Sequence, residues 1–259
     1  MSRPLADLRG PIRALFSDVD GTMTTGERIE ASTYSAVEQL AASGTPVIMV
    51  TGRPAGWGQA FIKVMPVTAV VTENGGVTFV REGRRQHKLY GVPQASLPEW
   101  RRRMNDAAVD VMSKVPGARL SSDSKYREVD LAIDWNEEVS LSRDDAEVVV
   151  HLLTRAGFTA VRSSVHVNFG PPHFDKLSAC MSVVRQVLGG DPADLSPYVF
   201  VGDALNDAPM FRGFPSSVGV ANVKVWWEEL SDKPAFLTEL PEGAGLRELI
   251  AHLLSLPKA

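Results

Sequence analysis

Short apolar runs of four or five residues recur along the chain, and several of them end abruptly at polar residues. Three such runs stop immediately before Asp18, Thr51 and Gly202-Asp203. Successive apolar positions indicate strands that are buried on both faces, as in the middle of a parallel sheet. Segments with apolar residues at helical spacing separate these runs. This alternation predicts an α/β protein with a doubly wound, Rossmann-like parallel sheet.

The pattern places the core elements in two blocks of the chain. Core strands are predicted at 13–17, 46–50, 68–71, 198–201, 217–220 and 236–237. Core helices are predicted at 32–43, 55–64, 174–188, 207–211 and 246–254.

The rhythm changes near residue 80, where glycines and prolines interrupt the chain. Helices are predicted at 98–114 and 143–156, and shorter strands at 127–134, 158–162 and 165–169. Val129, Leu131 and Ile133 alternate with polar residues, which is typical of a sheet with one open face. We therefore predict an α+β cap at 83–169, inserted into a core that comprises 1–82 and 170–259.

Composition narrows the functional classes. The 259 residues are 44% hydrophobic and 22% charged, with a formal net charge of -4, which argues against a nucleic-acid partner. Cys180 is the single cysteine, so neither an internal disulfide nor a cysteine zinc site is expected. Neither a signal peptide nor a membrane-spanning stretch is recognisable, and we expect a cytoplasmic protein without a membrane partner.

Acidic residues gather where the predicted strands end, at the edge where open parallel sheets bind ligands. These residues are Asp18, Asp20, Asp203 and Asp207. They cannot all be ionised without a counter-charge, and oxygen ligands without cysteine or histidine suit Mg²⁺. Lys176 adds a second positive charge, and Thr51 adds a hydroxyl donor. Metal, lysine, hydroxyl and backbone amides together indicate a phosphate site.

Four motifs in this order resemble those of the haloacid dehalogenase-like (HAD) phosphohydrolase superfamily. They are Asp18-Val19-Asp20-Gly21-Thr22, Thr51 in Val50-Thr51-Gly52-Arg53, Lys176, and Gly202-Asp203-Ala204-Leu205-Asn206-Asp207. The insert lies between the second and third motifs, which is similar to the type-2 (C2B) cap class. The insert and Glu73-Asn74-Gly75 resemble the subclass of Cof-type enzymes, sucrose-phosphate phosphatase and mannosyl-3-phosphoglycerate phosphatase.

The resemblance implies a role for each motif residue. Asp18 would be the nucleophile, and Asp20 would protonate the leaving alcohol and later activate water. Thr51 would hold the transferring phosphoryl group, and Lys176 would offset its charge. The implied Mg²⁺ ligands are Asp18, the backbone carbonyl of Asp20, Asp203, and Asp207 acting through water or by orienting Lys176.

Further residues are candidates for contact with phosphate or substrate. On the core side they are Gly21, Thr22, Gly52, Arg53, Asn74 and Asn206. On the cap side they are Arg127, Arg162, His166 and Asn168, of which the two arginines could meet a second anionic group.

The predicted function is a Mg²⁺-dependent phosphatase that hydrolyses a small phosphorylated metabolite, a sugar or sugar-acid phosphate, through an aspartyl-phosphate. A phosphomannomutase-like phosphomutase could use the same aspartates, and a non-catalytic metabolite-binding protein could share the fold. The sequence leaves the substrate and the oligomeric state open.

Overall fold

The computed structural model describes residues 2–163 and 165–257, which form two β-sheets covered by helices. The strands are β1 (Arg3–Pro4), β2 (Ala14–Asp18), β3 (Val47–Val50), β4 (Ala69–Thr72), β5 (Val77–Glu82), β6 (Arg85–Tyr90), β7 (Arg119–Leu120), β8 (Leu131–Asp134), β9 (Thr159–Arg162), β10 (His166–Gly170), β11 (Tyr198–Gly202), β12 (Ser216–Gly219) and β13 (Phe236–Leu237). The helices are α1 (Ala31–Ala42), α2 (Ala55–Val64), α3 (Leu97–Lys114), α4 (Arg143–Arg155), α5 (Lys176–Gln186), α6 (Ala208–Gly213) and α7 (Glu242–Ser255).

The large sheet has the strand order β1-β13-β12-β11-β2-β3-β4-β5-β6. All neighbours from β1 to β4 are parallel, and β2 lies between β11 and β3. The carboxyl ends of β2, β3 and β11 therefore meet at one edge, as the sequence predicted.

Alternate residues of β2 face two different apolar layers. Leu15 packs in the layer that includes Val37 of α1 and Leu249 of α7. Phe16 packs in the opposite layer with Val183 of α5 and Phe211 of α6. Because successive strand residues point to opposite faces, helices cover both sides of the sheet. The predicted doubly wound α/β fold is confirmed.

The far edge of the large sheet is an antiparallel hairpin that the sequence pattern missed. β5 pairs antiparallel with β4, and β6 pairs antiparallel with β5. The β6 side chains are polar and mostly exposed, so no apolar run marks this strand. The cap boundary predicted at residue 83 falls inside this hairpin. We therefore propose that the cap begins after Tyr90.

The second sheet has the order β7-β8-β10-β9, with every pair antiparallel. Ile133 and Phe169 pack on Met104 of α3 and Val149 of α4, which cover one face. On β10, His166 and Asn168 point to the opposite face from Phe169, and both line a cavity against the core. The open face predicted for the second sheet is thus the face that meets the edge of the large sheet where β2 and β3 end.

The predicted strand at 127–134 begins only at Leu131. The backbone N–H groups of Glu128, Val129 and Asp130 donate to the buried Glu73 carboxylate at 2.6–2.9 Å instead of to a neighbouring strand. A tertiary contact has replaced the sheet partner that the alternating pattern predicted.

Among the described residues, none of the helices has the length and apolar character needed to cross a membrane.

Candidate active site

The carboxylate of Asp18 is buried at the end of the central strand β2, with 5% of the residue exposed. Its Oδ1 accepts a 2.8 Å hydrogen bond from Nζ of Lys176. The same Nζ donates to Oδ1 of Asp207 at 2.7 Å. Three residues from the first, third and fourth motifs therefore form one buried charge cluster, although they lie far apart in sequence.

Local helix capping directs Lys176 into this cluster. Asp175 caps α5 by accepting a 2.7 Å hydrogen bond from the Ser178 N–H, and its own backbone N–H donates in return to the Ser178 Oγ at 3.0 Å. The Asp175 carboxylate is thereby occupied at the helix terminus. Burial by itself would lower the pKa of Lys176, but Asp18 and Asp207 raise it above its usual value. The side chain stays an ammonium.

Carboxylate oxygens of Asp18, Asp203 and Asp207 lie within 4.8 Å of one another. Burial raises the pKa of Asp18 to about 8, although Lys176 opposes the shift. Burial, and then the nearby Asp18 and Asp207 charges, raise the pKa of Asp203. One ammonium does not balance three buried carboxylates, and a hard divalent cation would offset the excess. The cluster therefore fits the predicted Mg²⁺.

Asn222 supports Asp203 and was not predicted. Its Nδ2 donates to Asp203 Oδ2 and to the Gly21 carbonyl, both at 2.9 Å. Thr22 Oγ1 donates to Asp203 Oδ1 at 3.2 Å. Asn222 follows β12 by three residues, so its position after a strand at the same edge was the available signal.

The turn after Asp20 brings its backbone close to the acidic cluster. Gly21 has a φ of +76°, and a Cβ there would lie 2.5 Å from Asp203 Oδ2, so the position requires glycine. The Gly21 N–H donates to Thr24 Oγ1, and the Thr22 N–H donates to the Val19 carbonyl. The structure thus uses these two predicted phosphate donors within the turn itself.

Asp20 is paired with Arg53 and stands apart from the three clustered aspartates. Arg53 Nε lies 3.0 Å from Asp20 Oδ1 and 3.2 Å from Oδ2, and Nη2 lies 2.9 Å from Oδ1. Thr51 Oγ1 lies 3.4 Å from Asp20 Oδ2 and accepts a 3.0 Å hydrogen bond from the Arg53 N–H. Two residues of the second motif, Thr51 and Arg53, therefore contact the carboxylate of Asp20, the predicted proton donor.

Arg53 also connects the core to the cap through Glu137, which was not predicted. Nη1 of Arg53 donates to Glu137 Oε1 at 2.7 Å, and His166 Nε2 lies 2.8 Å from Glu137 Oε2. Hydrogen bonds from His166 and Arg53 lower the pKa of Glu137 to about 2. Asp134 positions this turn by accepting hydrogen bonds from the backbone N–H groups of Glu137 and Glu138 at 2.9 Å.

Two cap residues bind the Gly52 carbonyl in the second motif. Arg127 Nη1 donates to it at 3.0 Å, and Asn168 Nδ2 lies at 3.3 Å. Both also donate to the Asp130 carboxylate: Arg127 Nη1 to Oδ1 at 2.9 Å, and Asn168 Nδ2 to Oδ2 at 3.1 Å. Burial raises the pKa of the Asp130 carboxyl to about 7, although Arg127 opposes the shift.

The structure does not bring the two predicted cap arginines to the cleft. The Arg127 side chain is fully buried and is held by Asp123, Asp130 and the Gly52 carbonyl. Arg162 lies within 2.7 Å of Glu147 and 2.8 Å of Glu229. Arg127 therefore joins cap to core, whereas Arg162 connects to a core segment away from the aspartates.

The buried Glu73 carboxylate accepts hydrogen bonds from separate segments of the chain. Besides the cap backbone, its carboxylate accepts a 2.8 Å hydrogen bond from the Ala55 N–H at the start of α2. Glu73 and Asn74 have φ values of +52° and +51°, a strained conformation for residues other than glycine. This backbone directs the Asn74 side chain toward Gly52, where a Cβ would lie 3.2 Å from its amide.

Two adjoining cavities lie between cap and core. The smaller, of about 30 Å³, is bordered by Asp18, Asp20, Arg53, His166 and other residues of both parts. The larger has a volume of about 260 Å³. Asn168 and Asn206 border both cavities. The structure therefore brings most of the predicted site residues to one continuous cleft.

Comparison with known proteins shows which family this chain resembles. The family model for haloacid dehalogenase-like hydrolases matches residues 15–91, which include the first two motifs. The resemblance predicted from the motifs is confirmed. A phosphoglycolate phosphatase of Haloarcula marismortui is 28% identical over 240 residues, covering 92% of this chain and 95% of that protein. The prediction of an enzyme of the phosphoric monoester hydrolase class is likewise confirmed.

Two solved structures share the fold over nearly the whole chain. The Thermoplasma acidophilum 0175 protein superimposes with a TM-score of 0.72 at 20% identity, covering 94% of this chain and 98% of that one. The sucrose-phosphatase of Synechocystis sp. PCC6803 superimposes with a TM-score of 0.67 at 16% identity and the same coverage. At these identities the likeness concerns the fold alone.

Proposed function

We propose that this HAD-like chain is a Mg²⁺-dependent phosphatase that hydrolyses a small phosphorylated metabolite through an aspartyl-phosphate. The observation that carries the proposal is the buried Lys176 ammonium, held between Asp18 and Asp207 beside Asp203. In this arrangement, Asp18 acting as a nucleophile would have a fixed positive charge beside it. Nothing else among the described residues combines these features at a strand edge that faces a cleft.

In the first step, an Asp18 oxygen forms a bond to phosphorus while the bond from phosphorus to the leaving oxygen breaks. Protonated Asp20 gives its proton to that oxygen, which leaves as an alcohol. In the second step, Asp20 takes a proton from water as the water oxygen attacks phosphorus and releases Asp18. Bound Mg²⁺ would supply positive charge that offsets the repulsion between carboxylate and phosphate.

Three groups position the phosphoryl transfer. Lys176 offsets the charge on the transferring oxygens, because its ammonium lies 2.8 Å from the attacking carboxylate. Asp207 keeps Lys176 in place, and it also accepts hydrogen bonds from the backbone N–H groups of Asp203 and Ala204 at 3.1 and 3.3 Å. Arg53 borders the smaller cavity, and its Nη2 lies 2.9 Å from Asp20 Oδ1. A phosphoryl group bound in this cavity would therefore be within reach of the Arg53 guanidinium.

The named activities of similar proteins suggest two chemical types of substrate. The Haloarcula relative is a phosphoglycolate phosphatase, whose named substrate carries a carboxylate. The Synechocystis structure is a sucrose-phosphatase in complex with sucrose and phosphate. Both support a small phosphate monoester as substrate.

The phosphomutase alternative is less well supported. A mutase must hold a second phosphate in its cap while the sugar reorients. The two cap arginines that could do so, Arg127 and Arg162, are each paired with two carboxylates. We therefore propose hydrolysis.

The test is phosphate release from a panel of phosphorylated metabolites, with p-nitrophenyl phosphate as a general substrate, measured with Mg²⁺ and with EDTA. We expect Mg²⁺-dependent release, and the Asp18→Asn variant is expected to lose about 10³-fold or more in kcat. Circular dichroism of that variant checks that it is folded. Isomerisation of a hexose phosphate without net release would instead support the mutase, and near-native release by Asp18→Asn would refute the proposed nucleophile.

A further inference from the structure

The larger cavity is the space next to the catalytic cluster that can accept the rest of a substrate. Its wall includes Val161 and Phe169 of the cap and Lys176 of the core. It joins the smaller catalytic cavity at Asn168 and Asn206. A phosphate monoester bound at Asp18 can therefore extend its alcohol part into this cavity, and the cavity lining bears on which alcohols fit.

Acidic residues predominate among the charged groups of this wall. Glu73, Asp130 and Asp175 border the cavity. Glu73 accepts four backbone hydrogen bonds and has no cation bound to it in the described chain. Asp175 is exposed at the start of α5. Asp130 contributes less negative charge than the other two, because Arg127 is bound to it and burial favours its neutral form.

The positive groups near the cavity are already paired. Lys176 is the cavity's one cation among the described residues, and it is bound to Asp18 and Asp207. In the smaller cavity Arg53 is bound to Asp20 and Glu137. A carboxylate on a substrate would therefore meet negative charge without an available cation, and such like-charge contact opposes binding.

The remaining wall suits an uncharged alcohol. Asn74, Asn168 and Asn206 offer amide groups to hydroxyls, and Phe169 and Val161 offer apolar surface. This combination of a few polar groups with apolar surface is typical of small-molecule sites.

We propose that the acidic wall of this cavity, with Asp175 as its exposed charge, makes the cavity selective against leaving groups that carry a carboxylate, so that the enzyme prefers the uncharged alcohol of the same size. This inference rests on the proposed phosphatase function. It implies that 2-phosphoglycolate, the substrate named for the similar archaeal phosphatases, is a poor substrate for this chain.

The test uses pairs of phosphate esters in which one member carries a carboxylate and the other carries a hydroxymethyl group at the same position. Suitable pairs are 2-phosphoglycolate with 2-hydroxyethyl phosphate, and 6-phosphogluconate with sorbitol 6-phosphate. The measured quantity is the ratio of kcat/KM for the neutral ester to kcat/KM for the acidic one. We expect this ratio to exceed about 10 for the wild-type enzyme. A ratio at or below one for both pairs overturns the proposal.

Two substitutions test the residues themselves. Asp175→Asn removes one charge and retains a good helix cap, and we expect the ratio to fall about threefold or more. Val161→Lys adds a cation to the cavity wall, and we expect a further gain for the acidic esters. Asp191→Asn removes the same charge from an exposed loop after α5 and should leave the ratio at its wild-type value. If the first two variants match Asp191→Asn, the proposed residues are wrong.

The substrate panel separates this inference from the proposed function. Absence of Mg²⁺-dependent release from p-nitrophenyl phosphate and every ester would refute the phosphatase itself. Release with a preference for acidic esters would leave the phosphatase intact and refute only the selectivity.

Discussion

The guanidinium of Arg53 lies between Asp20 of the core and Glu137 of the cap. It holds Asp20 through Nε and Nη2, at 3.0 and 2.9 Å from Oδ1, and Glu137 through Nη1 at 2.7 Å. The Trp57 ring lies 4.8 Å from the guanidinium carbon. The residue assigned to proton transfer is therefore connected to the cap by one side chain.

This connection predicts that Glu137→Gln lowers kcat about tenfold with a smaller change in KM, because Arg53 loses its charged cap partner and holds Asp20 less well. Steady-state kinetics on p-nitrophenyl phosphate measure both constants. Glu138→Gln is the matched control, since the Glu138 side chain is exposed and binds Ser122 within the cap. Equal kinetics for the two variants would contradict the positioning role of Glu137.

The raised carboxyl pKa values predict how stability depends on pH in the metal-free protein. Between the ordinary aspartate value of about 3.9 and the Asp18 value of about 8, the native state binds more protons than the unfolded state. Stability therefore falls as pH rises through this range. We expect a lower urea midpoint at pH 8 than at pH 6 in EDTA.

Two further measurements assign this slope to the acidic cluster. Mg²⁺ should reduce the difference between pH 6 and pH 8, because the cation binds the ionised carboxylates of the native state. Asp18→Asn should flatten the slope in EDTA, whereas Asp191→Asn should keep it. A slope that neither Mg²⁺ nor Asp18→Asn changes would mean that the cluster does not cause it.

The two hydrogen bonds that Asn222 makes to Asp203 and the Gly21 carbonyl predict a role in metal binding. Groups that orient a metal ligand commonly change metal affinity by about 10- to 100-fold. We expect Asn222→Ala to raise the Mg²⁺ concentration for half-maximal activity by this factor. Asn105→Ala, at an exposed position on α3, is the control. An unchanged Mg²⁺ requirement would show that Asn222 does not act through Asp203.

The Glu73 carboxylate predicts a contribution to stability, because it accepts backbone hydrogen bonds from α2 and from the chain that enters β8. Glu73→Gln replaces one acceptor oxygen by a donor and removes the charge. We expect the free energy of unfolding to fall by about 2–4 kcal/mol in urea denaturation. Glu82→Gln, at the exposed end of β5, should change it by less than about 0.5 kcal/mol. Similar losses for both variants would contradict this role.

The core of the fold was predictable because local sequence carries its signals. Buried strands such as β3 and β11 are continuous apolar runs, and the polar residues that end them must lie at one sheet edge. β6 was missed because its side chains are polar and exposed, so only its pairing with β5 makes it a strand. Residues 128–130 were predicted as strand, but the Glu73 carboxylate takes their N–H groups.

The candidate site shows the same division between features that the sequence predicts and features that only the structure reveals. The sequence by itself determined which carboxylates, lysine and hydroxyl gather at the catalytic edge, because strand ends and motif spacing are local properties. The tertiary structure alone decided that Arg53 binds Asp20, that Glu137 and Asn222 support the site, and that Arg127 is buried away from the cleft. These are contacts between segments of core and cap that are distant in sequence. Their partners are chosen by how the two parts pack, and that information is not present in any single stretch of residues.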